Sequence, residues 1–287
     1  MRRPDDECVP RNRFRETAMI EINAFEDITR IKMSREMDGR ALYWVAAYLV
    51  DGLLIDTGCS YTSEELTSFL RGKPLNRAVN THFHEDHIGG NRQLMDAFGI
   101  DIFAHADSVP LIAREAELYP YQEVVWGYPE PTRVKPLGDT VKTGKYEFRV
   151  IETPGHSAGH VALLEESKGW CFSGDIFSRE NLKFIRPEED AAGLVASMNK
   201  ILESAPGRLV LFTSVGKIIE DGRRALTACI GNLNGLAKRA RALADEGRDR
   251  EEILTALFGG ENAFSQLTNG QFSSRNLVNS LLAMTEQ

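Results

Sequence analysis

The chain has 287 residues, a length that suits one large domain or one domain with an appendage. Hydrophobic residues make up 42% and charged residues 26% of the sequence, the balance of a soluble globular protein with a substantial core. A net charge of -8 and a pI near 5.4 argue against nucleic acid and anionic membranes as partners, because both are negatively charged.

Three sequence features bear on the cellular compartment. The longest apolar run, 41–50, is too short to span a bilayer. The first residues, MRRPDDECVP, are charged and contain no apolar segment of the kind found in signal peptides. The four cysteines are too widely spaced for a zinc knuckle or a disulfide framework. We therefore expect no membrane anchor and a cytoplasmic protein in a reducing environment.

Short strands and helices are predicted along most of the chain. Polar, irregular sequence over residues 1–17 predicts a flexible N-terminal arm. Short β-like runs follow it, and a hairpin turn at 50–53 joins two of them. The patterns that come next predict, in chain order, helix 63–70, strand 77–81, helix 91–98, strands 100–104, 145–152, 160–165 and 170–173, helix 191–204 and strand 208–212.

The pattern becomes purely helical after Asp221, where apolar residues recur on one helical face. Asp249 and Glu252 form a capping-box pattern at the start of a second helix, and a third helix is predicted near the end of the chain. The sequence thus predicts an α/β body over residues 18–222 and a C-terminal helical extension over residues 223–287.

The stretch NTHFHEDHIGG, residues 80–90, carries three of the six histidines of the chain. His82 and His84 are two residues apart at the end of a predicted strand, so their side chains point to the same side of the backbone. Asp86 and His87 follow in the loop that opens the next helix. Converging imidazole nitrogens and a carboxylate are the ligands that a divalent metal such as zinc prefers. A solvated loop with accidental histidines is the alternative.

Two later segments offer further ligands. TPGHSAGH contains His156 between two predicted strands, and FSGDIF contains Asp175 at the end of another. With these additions the sequence resembles the metallo-β-lactamase superfamily, whose HxHxDH motif is followed by a Gly-His pair and a bridging Asp. The resemblance covers roughly residues 20–222. It implies an α+β fold, a four-layer αββα sandwich with the metals at one edge, to which the C-terminal helical appendage is added.

The resemblance also implies a role for each ligand. The first metal site would consist of three imidazoles: His82, His84 and His156. Asp86 and His87 would belong to a second site, and Asp175 would bridge the two metals. Asp56, in the segment LLIDTG, matches a family position that supports the ligands from behind, which fits the need to orient metal-bound imidazoles.

The second site lacks one ligand of the family. That histidine normally comes from a PGHG-like turn after a late strand, and the matching stretch here, LVLFTSVGKIIEDG, has Val215 at the position. Valine cannot bind a metal, and neither His105 nor His160 is an evident replacement. We therefore expect one tightly bound divalent metal per chain and a weaker second one. Zinc is the first expectation, with iron and manganese as alternatives.

Two other segments invite a functional interpretation. GHSAG formally matches the nucleophile elbow of serine hydrolases, but a strand is predicted after it and no distant histidine follows. The aromatic segment ELYPYQEVVWGYPEP has poor helix and poor strand signals. Its Trp126 and Tyr128 either pack in a surface loop or line a pocket for an apolar or aromatic substrate group.

Together these features predict a hydrolase that cleaves an ester, thioester or lactone with metal-activated water. Asp86 would either bind the weaker second metal or act as the catalytic base. The expected partner is a small molecule with an apolar or aromatic part, without nucleic acid or membrane, and a homodimer is left open. Two alternatives stand beside this prediction: a mononuclear iron enzyme resembling persulfide dioxygenases, and a non-catalytic binding or regulatory protein on the same fold.

Overall fold

The computed structural model describes residues 17–284, so the arm predicted over 1–17 lies outside the described residues except for its last residue. The strands are β1 (Thr17–Phe25), β2 (Ile28–Met37), β3 (Arg40–Ala41), β4 (Val45–Val50), β5 (Leu53–Ile55), β6 (Arg77–Val79), β7 (Asp101–Ala104), β8 (Lys135–Pro136), β9 (Thr140–Lys142), β10 (Glu147–Glu152), β11 (Val161–Glu165), β12 (Trp170–Gly174), β13 (Val210–Thr213) and β14 (Ile218–Ile219).

In chain order the helices alternate with the strands from β5 to β8, and most of the others follow β14. The helices are α1 (Ser63–Leu70), α2 (Glu85–Ile88), α3 (Asn91–Phe98), α4 (Val109–Ile112), α5 (Pro120–Val125), α6 (Ala191–Ser204), α7 (Gly222–Asp245), α8 (Arg250–Phe258), α9 (Ala263–Leu267) and α10 (Ser274–Ala283). Between residues 17 and 284, no helix combines the length and the apolar composition that a transmembrane span requires.

Two sheets form the centre of the molecule. The first has the order β1-β2-β4-β5-β6-β7-β8, with the short β3 paired to β2, and the second has the order β14-β13-β12-β11-β10-β9. Strands β5, β6, β7 and β8 pair in parallel. Because the carboxyl ends of parallel strands meet at one edge, the loops that follow them lie close together.

The sheets pack face to face over a layer of large apolar side chains. This layer includes Tyr48, Phe148, Trp170, Phe172 and Phe212. The hydroxyl of Tyr48 in β4 donates to the carbonyl oxygen of Thr213 in β13 at 2.6 Å, which joins the two sheets near the site described below. All six residues of β4 are buried, as expected for a strand that is covered on both faces.

Helices cover the two outer faces. Leu66 in α1 and Leu94 in α3 pack against the first sheet, and α6, α7 and α10 cover the second. The predicted capping box is present, because Asp249 accepts from the backbone N–H of Glu252 at 2.9 Å and Glu252 accepts from that of Asp249 at 3.0 Å. The predicted αββα sandwich with a C-terminal helical region is therefore confirmed. The domain boundary after residue 222 stays a prediction, since these helices share one core with the second sheet.

The aromatic segment over residues 117–131 has more regular structure than its sequence predicted. It contains helix α5, which begins with Pro120, where the fixed φ of proline suits a first helical residue. The side chain of Gln122 accepts from the backbone N–H of Tyr119 at 2.8 Å and so caps the helix start. Tyr119, Pro120 and Tyr121 thus belong to the start of a short helix, while Tyr128, Pro129 and Pro131 follow it.

Candidate metal centre

Loops at the ends of neighbouring strands bring the predicted residues together at one edge of the sandwich. Asp56 directly follows β5, and the histidine cluster of residues 82–87 follows β6. His156 lies in the loop before β11, and Asp175 directly follows β12. The predicted ligands are buried, apart from the partly exposed Asp175. Burial matters here because a metal site needs ligands that bulk water does not compete for.

Three imidazole nitrogens converge at His84. Its Nδ1 lies 3.0 Å from Nε2 of His82 and 3.0 Å from Nε2 of His156. Oδ2 of Asp175 lies 3.3 Å from Nε2 of His156, and the four ligand atoms lie within 4.8 Å of one another. Ligands at zinc distances of about 2.0–2.1 Å in a tetrahedron are about 3.4 Å apart. The four groups therefore fit a single cation among them.

The protonation states of His82, His84 and Asp175 suit a metal. Burial and the neighbouring His87 lower the pKa of His82 well below its usual value, and burial and Arg186 do the same for His84. Both rings are therefore neutral and keep a lone pair for a ligand bond. Burial alone would raise the pKa of Asp175, but His156 and His87 outweigh it and hold that pKa well below its usual value. The carboxylate is therefore ionised.

Asp86, His87 and Asp175 form a second cluster. Nε2 of His87 lies 3.7 Å from Oδ2 of Asp86 and 3.6 Å from Oδ1 of Asp175. Among the residues that the structure describes, neither Nε2 of His87 nor Oδ1 of Asp86 has a hydrogen-bond partner, although both atoms are buried. Buried polar atoms without partners are costly. A cation bound to this cluster would satisfy them, so the residues fit a second metal as well.

Asp56 holds His87 in place from behind. Its Oδ2 lies 2.8 Å from Nδ1 of His87, and its Oδ1 accepts from the backbone N–H of Thr81 at 2.7 Å. Asp56 itself adopts a left-handed backbone conformation with φ of 60°, which is uncommon outside glycine. A carboxylate that accepts the Nδ1 proton leaves Nε2 free as a ligand atom. The structure thus places Asp56 where the predicted supporting role requires it, and the role itself stays a prediction.

Val215 lies in the turn between β13 and β14. The preceding residue, Ser214, is buried, and its side chain hydrogen-bonds Asp175 and helps to lower the pKa of that carboxyl. Over residues 17–284, the second cluster comprises three side chains able to hold a metal, and none of them comes from this turn. The turn therefore contacts Asp175, which both clusters share, without adding a fourth ligand.

The two remaining histidines have other partners. Nδ1 of His160 lies 2.7 Å from the hydroxyl of Thr153, and its Nε2 accepts from the backbone N–H of Asp175 at 3.0 Å. Burial, followed by His156, lowers the pKa of His160 to about 3, so the ring is neutral and can accept this bond. His105 lies at the surface beside Glu152, with 3.4 Å between Nε2 and Oε1. His160 thus positions the loop of Asp175.

Val215→His is expected to raise the metal content from about one ion per chain toward two. The imidazole would add the ligand that the second cluster lacks, and loss of a mere supporting residue already costs roughly 10–100-fold in metal affinity. Val215→Ala is the matched control, because it alters the same side chain without adding a ligand. The measurement is elemental analysis after dialysis against a weak chelator. Two ions per chain in the unmodified protein would contradict the expectation.

Glu189 is a part of the site that the sequence analysis missed. Its Oε1 contacts Nδ1 of His156, and its Oε2 accepts from the backbone N–H of Arg186 at 2.8 Å. A carboxylate on the far nitrogen of a ligand imidazole fixes the ring and makes it a better ligand. The acidic run before α6 gave no indication of this contact, because Glu189 lies 33 residues from His156 in the chain.

Glu189→Gln is expected to lower metal affinity roughly 10–100-fold while leaving the fold intact. The amide keeps the size of the side chain but loses the negative charge that holds the His156 ring. Glu188→Gln is the control, since it removes the same charge from the neighbouring, exposed residue. Competition with a metal-binding dye measures the affinity. Equal affinities for the two variants would show that Glu189 does not support the site.

A cavity of about 360 Å³ opens beside the first cluster. Its wall includes His84, Glu85, Tyr119, Gln122 and Arg186. Tyr119 and Gln122 come from the aromatic segment for which a pocket was predicted. The two pocket residues predicted there, Trp126 and Tyr128, lie elsewhere.

Trp126 and Tyr128 do not line this cavity. Trp126 is buried in the core, edge to face with Tyr43 at 5.6 Å and with Tyr121 at 6.0 Å between ring centroids. Tyr128 is 51% exposed. A direct role of these two residues in substrate binding stays a prediction, and packing accounts for the position of Trp126.

The site lies in a part of the chain that matches the model of a known family. Residues 45–213, more than half of the chain, match the model of the metallo-beta-lactamase superfamily. The chain belongs to this superfamily. The predicted resemblance is thereby confirmed, and the site lies within the matched residues except for the Val215 turn.

Two curated relatives show how far sequence similarity extends within the superfamily. A hydroxyacylglutathione hydrolase from Bdellovibrio bacteriovorus is 34% identical over 110 residues, which cover 38% of this chain and 38% of that enzyme. A hydroxyacylglutathione hydrolase from Chelativorans sp. is 29% identical over 174 residues, 58% of this chain and 60% of that enzyme. The chain therefore matches less than two thirds of the length of either enzyme.

A solved structure extends the likeness beyond the matched domain. The crystal structure of a beta-lactamase domain protein from Burkholderia ambifaria is similar with a TM-score of 0.66 at 20% identity, over 93% of this chain and 85% of that one. At this level of identity the comparison shows a shared fold. Because it covers nearly the whole chain, the shared fold extends into the C-terminal helices.

Proposed function

We propose that the protein is a metal-dependent hydrolase that cleaves a carbonyl ester, with a thioester as the first candidate and an oxygen ester or lactone as the others. The observation that carries the proposal is the pair of ligand clusters that share Asp175 beside an open cavity. A divalent cation bound there supplies Lewis-acid polarisation of a carbonyl and lowers the pKa of water. The names of the two hydroxyacylglutathione hydrolases support a thioester.

This proposal assigns a separate role to each residue of the site. His82, His84 and His156 hold the tighter cation, and His87, fixed by Asp56, contributes to a weaker second one. Asp86 is the proposed catalytic residue, because burial raises the pKa of its carboxyl to about 6. A carboxylate with a pKa close to neutrality can accept the proton of an attacking water at physiological pH.

The cavity supports a small-molecule substrate with an apolar part. Phe83, Ile88 and Ile112 contribute apolar surface to its wall beside the polar groups. Zinc is proposed for the tighter site because the donors are imidazole and carboxylate, with iron and manganese as alternatives. Cytoplasmic location, a homodimer and the absence of nucleic-acid or membrane partners stay predictions.

The test combines elemental analysis with hydrolysis of a panel of thioesters, esters and lactones by the purified protein. We expect bound divalent metal, turnover of at least one thioester, and loss of turnover after chelation that added metal restores. A metal-loaded protein that hydrolyses no member of the panel would contradict the proposal. Iron as the bound metal, together with oxygen uptake in the presence of a persulfide, would favour the dioxygenase alternative. The absence of both hydrolysis and oxygen uptake would favour a binding protein.

A further inference from the structure

Arg186 is a buried cation next to the metal centre that the ligand clusters do not explain. It lies in the loop between β12 and α6 and is only 4% exposed. Nη1 lies 3.5 Å from Nδ1 of His84, and Nη2 lies 3.9 Å from Oε1 of Glu85. The guanidinium stands 5.0 Å over the ring of Phe272, which precedes α10. Phe272, from the C-terminal region, therefore packs against the guanidinium of Arg186 beside the metal centre.

The guanidinium of Arg186 is not fully satisfied by the residues around it. Within residues 17–284, its buried Nε has no partner, and His84 is the acceptor within hydrogen-bond distance of Nη1. That acceptor is a nitrogen that a metal would occupy. Glu85 accepts from Nε2 of Gln122 at 2.7 Å and lies too far from Arg186 for a hydrogen bond. Glu85 thus offsets the charge of Arg186 without using its N–H groups.

Arg186 lies in the wall of the cavity. Arg186 and His84 both belong to the wall of the 360 Å³ cavity, so a ligand that reaches the metal centre from this side also meets the guanidinium. A planar guanidinium presents two parallel N–H groups that match the two oxygens of a carboxylate. An incompletely paired, buried guanidinium is costly, so a ligand that accepts hydrogen bonds from it gains affinity.

We propose, building on the proposed function, that Arg186 binds a carboxylate of the substrate, so that the substrates are acids with a carboxylate a few bonds from the scissile carbonyl. Three exposed glutamates, Glu115, Glu117 and Glu188, also line the cavity, and Glu188 lies 4.0 Å from Nη1. Because they are exposed, solvent and salt weaken their repulsion of an anion. The hydrogen bonds to Arg186 form in buried surroundings, where they are stronger.

The test measures binding without turnover. Metal-loaded protein is titrated in a calorimeter with succinate and with succinamate, in which an amide of similar size replaces one carboxylate. We expect the unmodified protein to bind succinate about 10- to 100-fold more tightly, the range of a hydrogen bond to a charged group. Arg186→Gln should reduce the ratio to about one. Arg114→Gln is the matched control, since Arg114 is an exposed arginine at the same cavity and should leave the ratio unchanged.

A double variant controls for destabilisation of the fold by the Arg186 substitution. Arg186→Gln leaves Glu85 buried without its counter-charge, which can destabilise the fold. The double variant E85Q/R186Q removes both charges and should fold while still losing the ratio. Equal affinities for the two probes in the unmodified protein, no binding of succinate, or an unchanged ratio in the double variant would overturn the proposal. Retained, Arg186-dependent binding without any hydrolysis would contradict the proposed function alone.

Discussion

His84→Ala is expected to remove the tightly bound metal and to abolish hydrolysis. Nδ1 of His84 is the point at which the nitrogens of His82 and His156 converge at 3.0 Å, so its loss takes the central ligand from the first cluster. Metal affinity should fall by more than the roughly 10–100-fold that follows loss of a supporting residue. The melting temperature should fall as well, because metal binding to the folded state adds to its stability.

The decisive measurement is the melting temperature with and without added metal. Added metal should raise it in the unmodified protein but no longer in His84→Ala, which separates the loss of the metal from the loss of packing in a buried position. His105→Ala is the control, since it removes a surface imidazole that contacts Glu152. Metal content in His84→Ala equal to that of the unmodified protein would contradict the assignment of the first site.

Gly89→Ala is expected to destabilise the protein by about 3 kcal/mol or more, at the upper end of what overpacking costs. A Cβ at this position would lie 2.3 Å from the backbone nitrogen of Ser60 and 2.4 Å from the carbonyl carbon of Cys59. Backbone atoms cannot rotate away as a side chain can, so one of the two loops must move. These loops carry Asp56 and His87, and the hydrogen bond between them should be disturbed together with metal binding.

Chemical denaturation and metal content measure the effect. Gly138→Ala is the matched control, because a Cβ there meets no atom within 4 Å and the backbone needs no special conformation. Its free energy of unfolding should stay within about 0.5 kcal/mol of that of the unmodified protein. If Gly89→Ala unfolds at the same denaturant concentration as Gly138→Ala and keeps its metal, the two loops are not in contact as described.

Local chemistry made much of the ligand set readable from the sequence. Imidazole and carboxylate at the spacing of residues 82–87 are hard to explain without a cation, whereas the roles of His156 and Asp175 were predicted from the resemblance to the metallo-β-lactamase superfamily. The capping box at Asp249 and Glu252 was likewise predictable, because its two hydrogen bonds join residues three positions apart. For residues 82–87 and for the capping box, the pattern depends on residue types and on short spacings that the backbone geometry fixes.

The tertiary structure alone decided what surrounds the ligands. The contact of Glu189 with His156 spans 33 residues, and the approach of Arg186 to His84 spans 102 residues. Composition and periodicity cannot reveal such pairs, because they arise where separate loops meet at the edge of two packed sheets. For the same reason Trp126, an aromatic residue near a predicted pocket, packs in the core beside Tyr43 and Tyr121, while Tyr119 and Gln122 reach the cavity. Which side of a short helix faces a cavity is settled by the elements packed around it.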